Sequence, residues 1–444
     1  MRFGNIVSAG MFAAALALPL AGQAMAQDEK DMQFYPVNAY WTGPYAAGGS
    51  AFGGGMIDYM KMLNERDGGI NGVKFFWEKC ETQYKNDRIV ECYERMKNRG
   101  AGMPLFHPMS TGGTYAIFER AWKDKIPVLT IGYGRTDASD GRVFPYLFPM
   151  MTNYWSQNTA KIKFIGMREG GMDKLKGVKI ANIHHDSAYG KETIPILDEQ
   201  AKLYGFEVKH YPVAHPGLDQ KAIWLQVGRQ FKPDWVILRG WGVMNPTALK
   251  EAQRIGFPRE KMVGVWWSGA EEDTVPAGGA AEGYIAAGFH PSGTDFPVIQ
   301  DIIKHVYDKD NGELPRERLG SIYYNRAIVW AIVSTEAIRD AMAMFGNRPV
   351  IGAEVQQALE QFQMTDERIK SLGAENLMPA FSVTCQDHEG GAAVKFQQWK
   401  DGKWVEITDW IETDDGLVRP MVEKSAAAYS KEKGTAMRDC ASVS

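Results

Sequence analysis

Short apolar runs rich in β-forming residues alternate along this chain with longer segments whose apolar positions fall at helical spacing. Residues 34–40 predict a strand. Residues 48–64 follow as a helix, with Met56, Tyr59, Met60 and Leu63 on one face. The pattern then predicts strands at 73–77, 104–106 and 127–131, separated by helices at 88–96 and 115–122. It restarts after Met150. Helices are expected at 153–167, 192–203, 221–231 and 246–255, and strands at 178–183, 206–211, 235–238 and 262–265; Gly205 and Gly256 close two of the helices. This order predicts two α/β units in series, each a mostly parallel sheet with helices on both faces. The third portion differs. Helices are expected at 296–307, 321–344 and 353–362, then a hairpin over 395–409 whose tight turn is Asp401-Gly402. A polar tail from Gly416 to Ser444 predicts an added helix. A chain ordered in this way can return to each unit and build a hinge of several crossings.

Residues 1–26 stand apart. Arg2 is their one charged side chain, residues 11–22 are all apolar or small, and Ala24-Met25-Ala26 precedes a charged stretch. The expectation is a cleaved signal peptide, excluded from fold reasoning. Removing 26 of 444 residues leaves 418, and losing Arg2 moves the net charge from −4 to −5. That length exceeds one ordinary core, so two lobes are expected. With 45% hydrophobic and 23% charged residues, the chain is globular. Its mild negative balance offers no electrostatic footprint for nucleic acid. No second apolar run approaches the roughly 18 residues of a membrane span. Cys80, Cys92, Cys385 and Cys440 form an even set in an oxidising compartment. The preferred pairing is Cys80–Cys92 with Cys385–Cys440, which closes two local loops; free buried thiols are the alternative.

Catalytic motifs are missing: no nucleophile elbow, no zinc-protease motif and no phosphate-binding loop. His184-His185-Asp186 resembles a metal cluster, but neighbours at a strand end point to opposite faces, which favours a structural role. Glu271-Glu272-Asp273 reads either as a solvated loop or as a partner for a ligand ammonium. Binding features are richer. Ligands of doubly wound sheets sit at the carboxyl ends of strands. Those ends carry Trp41 to Tyr45, His107 to Thr111, Gly132 to Thr136, Ser187 to Gly190, Gly240 to Gly242 and Trp266 to Gly269. Glycines bring backbone N–H groups close to an anion, hydroxyls add donors, and rings supply flat apolar walls. The alternative for each ring is that it caps the sheet core.

Several short motifs occur in one order: Thr42-Gly43-Pro44, then Gly68-Gly69-Ile70-Asn71-Gly72, Ile126-Pro127-Val128 and Asp186-Ser187-Ala188-Tyr189-Gly190. On them the chain, over roughly residues 33–409, resembles periplasmic solute-binding proteins of ABC importers, of the branched-chain amino acid type. The resemblance implies a two-lobed type I periplasmic binding protein fold with a multi-crossing hinge. Residues 27–150 plus 290–380 would form the N-terminal lobe, 151–289 plus 381–415 the C-terminal lobe, and 416–444 a C-terminal extension. It implies that Ser110 and Thr111 grip a ligand carboxylate, that Tyr133, Gly134 and Thr136 contribute from the next loop, that Tyr189 closes from the second lobe and that Trp241 covers the ligand. Trp41, Tyr45 and Trp266 complete an aromatic wall, and Arg135 is a further candidate donor. Amino-acid-binding members carry an acid where this chain reads Val265-Trp266-Trp267. A small aromatic or hydrophobic carboxylate is therefore the expected ligand, and a branched-chain amino acid the alternative if residue 271, 272 or 273 reaches in. The implied protein is a periplasmic, monomeric binder without cofactor, metal or enzymatic activity. Its partners would be a small molecule and an inner-membrane permease, with no nucleic acid and no direct membrane insertion; a ligand-sensing subunit for a membrane receptor is the alternative of another class.

Overall fold

The computed structural model describes Met1, residues 28–391 and residues 393–442. Apart from Met1, the leader expected over 1–26 lies outside them. β1 (Gln33–Ala39) is buried along its whole length and pairs parallel with β2 (Phe75–Glu81). The helix between them, α1 (Ala46–Arg66), begins against the end of β1. A Cβ on Gly49 would stand 2.1 Å from the Tyr40 carbonyl oxygen, so only glycine allows this approach. α2 (Asn86–Met96), α3 (Thr111–Asp124), β3 (Val128–Leu129) and β4 (Leu147–Phe148) complete the first unit. β3 and β4 pair parallel. The strand expected at 104–106 shrinks to a single parallel bridge from Phe106 to Val128; Pro104 has no N–H to give a ladder.

The second unit runs α4 (Tyr154–Glu169), β5 (Lys179–His185), α5 (Ala188–Lys191), α6 (Ile194–Tyr204), β6 (Glu207–Val213), α7 (Lys221–Gln226), β7 (Trp235–Arg239), α8 (Met244–Arg254), β8 (Met262–Gly264), α9 (Glu271–Thr274) and β9 (Ile285–Gly288). β9 has no counterpart in the sequence reading. Its Ile-Ala-Ala-Gly run lacks the β-branched signal that marks its neighbours. The chain then returns to α1, along which α10 (Pro297–His305) and α11 (Ile322–Phe345) pack, with α12 (Gly352–Leu359) against α11. β10 (Gln363–Met364), α13 (Asp366–Ser371) and β11 (Phe381–Ser382) lead back toward the second sheet.

There β12 (Ala393–Lys400) and β13 (Lys403–Glu406) form the expected hairpin, with Asp401 and Gly402 both at positive φ (49° and 77°). β12 pairs antiparallel with β9, giving the order β13-β12-β9-β8-β7-β5-β6. β14 (Ile411–Glu412) also pairs antiparallel with β12, and the remaining pairs of the sheet are parallel. α14 (Asp415–Lys433) crosses between the units. Its Val418 and Val422 pack with Trp155 and Ile196 of the second, and its Ala426 and Tyr429 join a core with Phe118 and Phe144 of the first. Disulfides link Cys80 to Cys92, pinning α2 on β2, and Cys385 to Cys440, tying the segment after α14 to the hinge. Among the described residues no helix is long and apolar enough to cross a membrane.

Candidate functional site

Between the units lies a cavity. Nine of its twelve lining residues are aromatic: Tyr40, Phe52, Tyr84, Tyr133, Tyr154, Tyr189, Trp241, Trp267 and Trp330; Met109, Ser110 and Thr111 complete it. The first unit sets the polar end. Ser110 caps α3, its Oγ accepting from the Gly113 N–H at 3.2 Å. Met109 sits at φ 55°, and its N–H donates to the Tyr133 hydroxyl at 3.0 Å. The start of α3 thus presents its N-terminal turn to the cavity, a setting that favours negative charge. From the second unit, Tyr189 is fixed by donating to the Gly240 carbonyl at 2.8 Å. Trp241 lies parallel to Phe52 at 6.1 Å, and Trp267 stands 6.0 Å from Trp330 of α11.

Several polar atoms of this lining have no partner. Thr111 Oγ1 and the indole nitrogens of Trp241, Trp267 and Trp330 are buried without a hydrogen bond. Thr111 and Trp267 both face the Tyr154 hydroxyl, short of hydrogen-bond geometry. Buried donors left unpaired cost about 1–3 kcal/mol each, so this lining is complementary to something that accepts.

Two buried arginines lie behind the rings of the lining. Arg239, fully buried, donates from Nε and Nη2 to the Tyr189 carbonyl at 3.0 and 2.9 Å, while Nη1 has no partner. Its guanidinium lies 4.0 Å from the Tyr154 ring centroid and 4.7 Å from that of Tyr189. Lys161 Nζ is buried without a partner; burial first, then the Arg239 charge, pushes its pKa well below the usual range. Arg326 lies 4.6 Å from the Trp267 ring centroid, donates to the Trp266 carbonyl at 2.7 Å, and is lowered to about 10 by burial. Neither arginine shares an ion pair with a carboxylate among the described residues, and the lining contains no Asp or Glu.

The acidic run faces elsewhere. Asp273 accepts from Tyr323 Oη at 2.6 Å, Asn245 Nδ2 at 2.8 Å and the Ala270 N–H at 3.0 Å, and burial raises its pKa to about 7. Glu271 accepts from the Ile322 N–H at 2.8 Å, and Glu272 pairs with Arg318 at 3.0 Å. The run is not a solvated loop and does not line the cavity; it anchors α9 to α8 and to the start of α11. Arg135 likewise does not line the cavity. It pairs with Asp137 and stacks 4.3 Å from the Tyr429 ring centroid, against α14.

Of the expected contacts, Ser110, Thr111, Tyr133, Tyr189 and Trp241 share the lining. Tyr45, Thr136 and Trp266 instead join the units. Tyr45 Oη is 2.9 Å from His185 Nε2; the Thr136 N–H donates to Glu192 Oε1 at 2.8 Å; Trp266 Nε1 donates to the Gly132 carbonyl at 2.7 Å. Trp41 covers α1 at Gly53 and donates its N–H to Glu81, and Gly134 packs on Thr130. Among the described residues no three His, Cys, Asp or Glu converge as a metal site; His184 Nδ1 turns to the His185 carbonyl. Met109 and Trp267 fall inside strand ends singled out in the sequence, though neither was assigned to the ligand; sequence reasoning missed Tyr40, Phe52, Tyr84, Tyr154 and Trp330. Tyr40 adjoins a strand end already singled out, whereas Phe52, Tyr154 and Trp330 lie on helices whose buried rings carry no local sign of a cavity.

A family model described as periplasmic binding protein matches residues 36–403. No curated protein matches the chain. Among solved structures, a protein of the Pseudomonas fluorescens group described as an ABC transporter permease superposes with a TM-score of 0.86 at 45% identity, over 93% of this chain and 100% of that one. A branched chain amino acid ABC transporter from Thermus thermophilus with bound valine gives 0.72 at 22% identity, over 88% and 98%. A solute binding protein from R. palustris in complex with benzoate gives 0.65 at 16%, over 86% and 98%. At those identities the last two establish the fold alone.

Proposed function

The chain belongs to the periplasmic binding protein family, and from that premise we propose that it serves an ABC transporter by capturing a small aromatic or hydrophobic carboxylate between its two lobes. Closure about the hinge is the mechanism. The carboxylate binds first on the open first lobe, at Ser110 and Thr111 on the N-terminal turn of α3. Contacts from Tyr189, Trp241 and Trp267 of the second lobe exist only in the closed form, and those differential contacts shift the population. The rings supply the apolar surface, and no bond is made or broken. The mature chain acts as a secreted monomer, passing its ligand to an inner-membrane permease without a cofactor.

One observation carries the ligand class: the cavity is lined by unpartnered donors, backed by buried arginines, and holds no carboxylate. An α-ammonium would enter without a counter-charge, at a cost of several kcal/mol. Tryptophan fluorescence titration with leucine, phenylalanine and benzoate tests this. Benzoate or a close relative should bind, with leucine and phenylalanine weaker by a factor of about a hundred or more. Leucine binding at micromolar concentration with no response to any acid lacking an amine would overturn the reading.

A further inference from the structure

Tyr45 leaves the first lobe one residue before α1, and its ring lies parallel to Trp241 of the second lobe at 6.2 Å. Its hydroxyl meets two imidazoles of that lobe: His185 Nε2 at 2.9 Å, at the end of β5, and His215 Nδ1 at 2.5 Å, in the loop after β6. The two ring nitrogens are 3.4 Å apart. His185 Nδ1 is occupied by Ser187 Oγ at 2.8 Å. A Cβ on Gly242 would stand 2.4 Å from Tyr45 Cδ1, so the second lobe leaves the space this ring enters. None of the three residues lines the cavity.

We propose that Tyr45, His185 and His215 are positioning residues, a clasp that holds the lobes closed over the cavity and lets go as the pH falls, so that ligand retention is acid-labile although no clasp residue touches the ligand. This rests on the reading that the lobes close over a solute. The chemistry is that of one hydroxyl between two imidazoles. With both rings neutral, Tyr45 donates to one and accepts from the other, so its hydroxyl and both ring nitrogens that face it are satisfied. His215 is exposed and can carry the first proton toward solvent, but a second, on the buried His185, would place two cations 3.4 Å apart in the seam. The groups facing it do not compensate: His184, Tyr84, Tyr189 and Trp241 are uncharged, and the nearby Asp186 carboxylate is already paired with Lys191 at 2.7 Å.

The direction follows by linkage. Burial, then the neighbouring His215, lowers His185 to about 4 in the closed form, and burial lowers His215 as well. Opening would restore the ordinary value near 6.5. The open form therefore holds more protons. The clasp's contribution is complete above about pH 6.5 and is lost as the pH falls below it, by about tenfold in the closed-to-open ratio between pH 7.5 and pH 5.5 for His185 alone. Glu192 works oppositely across the cleft. It accepts from the Thr136 N–H and from Tyr115 Oη (3.0 Å), and burial raises its pKa. Comparison with histidine variants isolates the clasp from that group.

The test needs no ligand, so its failure is separable from an error in the ligand class. Spin labels on Lys123→Cys and Lys202→Cys, in the full mature chain with both disulfides intact, report the distance between lobes by pulsed electron resonance. At pH 7.5 the chain should populate the short distance. At pH 5.5 that population should fall about tenfold relative to the long one. The His185→Gln/His215→Gln chain should lose this pH response, and Tyr45→Phe should open the lobes severalfold at pH 7.5 while keeping an acid response, because both histidines remain. Thermal unfolding at both pH values establishes that each variant is folded, and Tyr45→Phe stands alone if the histidine pair does not fold. A long distance at every pH, an unchanged pH response in the histidine variant, or a Tyr45→Phe chain as closed as the parent would overturn the proposal.

Discussion

The aromatic cavity and the seam around it are built from the same residue types and treat their polar atoms in opposite ways. In the seam, Tyr45 pairs with two histidines, Glu192 with the Thr136 N–H and Tyr115, and Trp266 with Gly132, and the Thr136 hydroxyl alone among these groups has no partner. A few ångströms away, three indole N–H groups and the Thr111 hydroxyl are buried and unpaired. Protein interiors rarely leave such groups orphaned. The difference separates two roles that look alike in composition. Satisfied groups hold the lobes together, and unsatisfied ones await a ligand. A tryptophan at a strand end can therefore be either, and Trp266 and Trp267, adjacent in the chain, are one of each.

Substitutions should split along that line. The largest effect is expected at the seam. Trp266→Ala removes a fully buried indole and should cost about 3–5 kcal/mol of stability, seen as a lowered thermal midpoint before any ligand is added. In the cavity, Thr111→Val should do the reverse. Its thermal midpoint should hold or rise, because an unpaired hydroxyl is lost, while calorimetric affinity for a benzoate-type acid falls by about 1.5–3 kcal/mol. Arg239→Met removes a charge behind the rings of Tyr154 and Tyr189 and should weaken such an acid by about 2 kcal/mol, the scale of a charge several ångströms away at an effective dielectric near 20. A neutral ester should show no such loss. Smallest is Tyr115→Phe. Glu192 keeps its bond from the Thr136 N–H, so closure should weaken by about 1 kcal/mol or less, read as a severalfold rise in the ligand off-rate. Equal behaviour of Trp266→Ala and Thr111→Val in both assays would erase the distinction.

Much of the framework was legible in the chain. The β-α alternation follows from local periodicity, and the Asp401-Gly402 turn and both cysteine pairs are short-range features. β9 was not, since alanine and glycine in a strand have no local signature and the strand exists because β8 and β12 flank it. Half of the cavity was legible through the strand-end rule, which finds Ser110, Thr111, Tyr133, Tyr189 and Trp241. The rule could not tell that Tyr45, Thr136 and Trp266 spend their hydrogen bonds across the seam, because partners in the other lobe lie from 56 to 170 residues away in sequence. Nor could it reach Trp330, on a helix buried on nearly all sides. Only the closed arrangement of both lobes assigns those side chains.

Native mass spectrometry of the protein purified without denaturation, with chemical identification of any molecule released, bears most directly on the claim that this cavity selects an anion without an amine. The account predicts a small acid carrying an aromatic or hydrophobic body and no ammonium. Release of valine, leucine or another free amino acid as the resident molecule would contradict it.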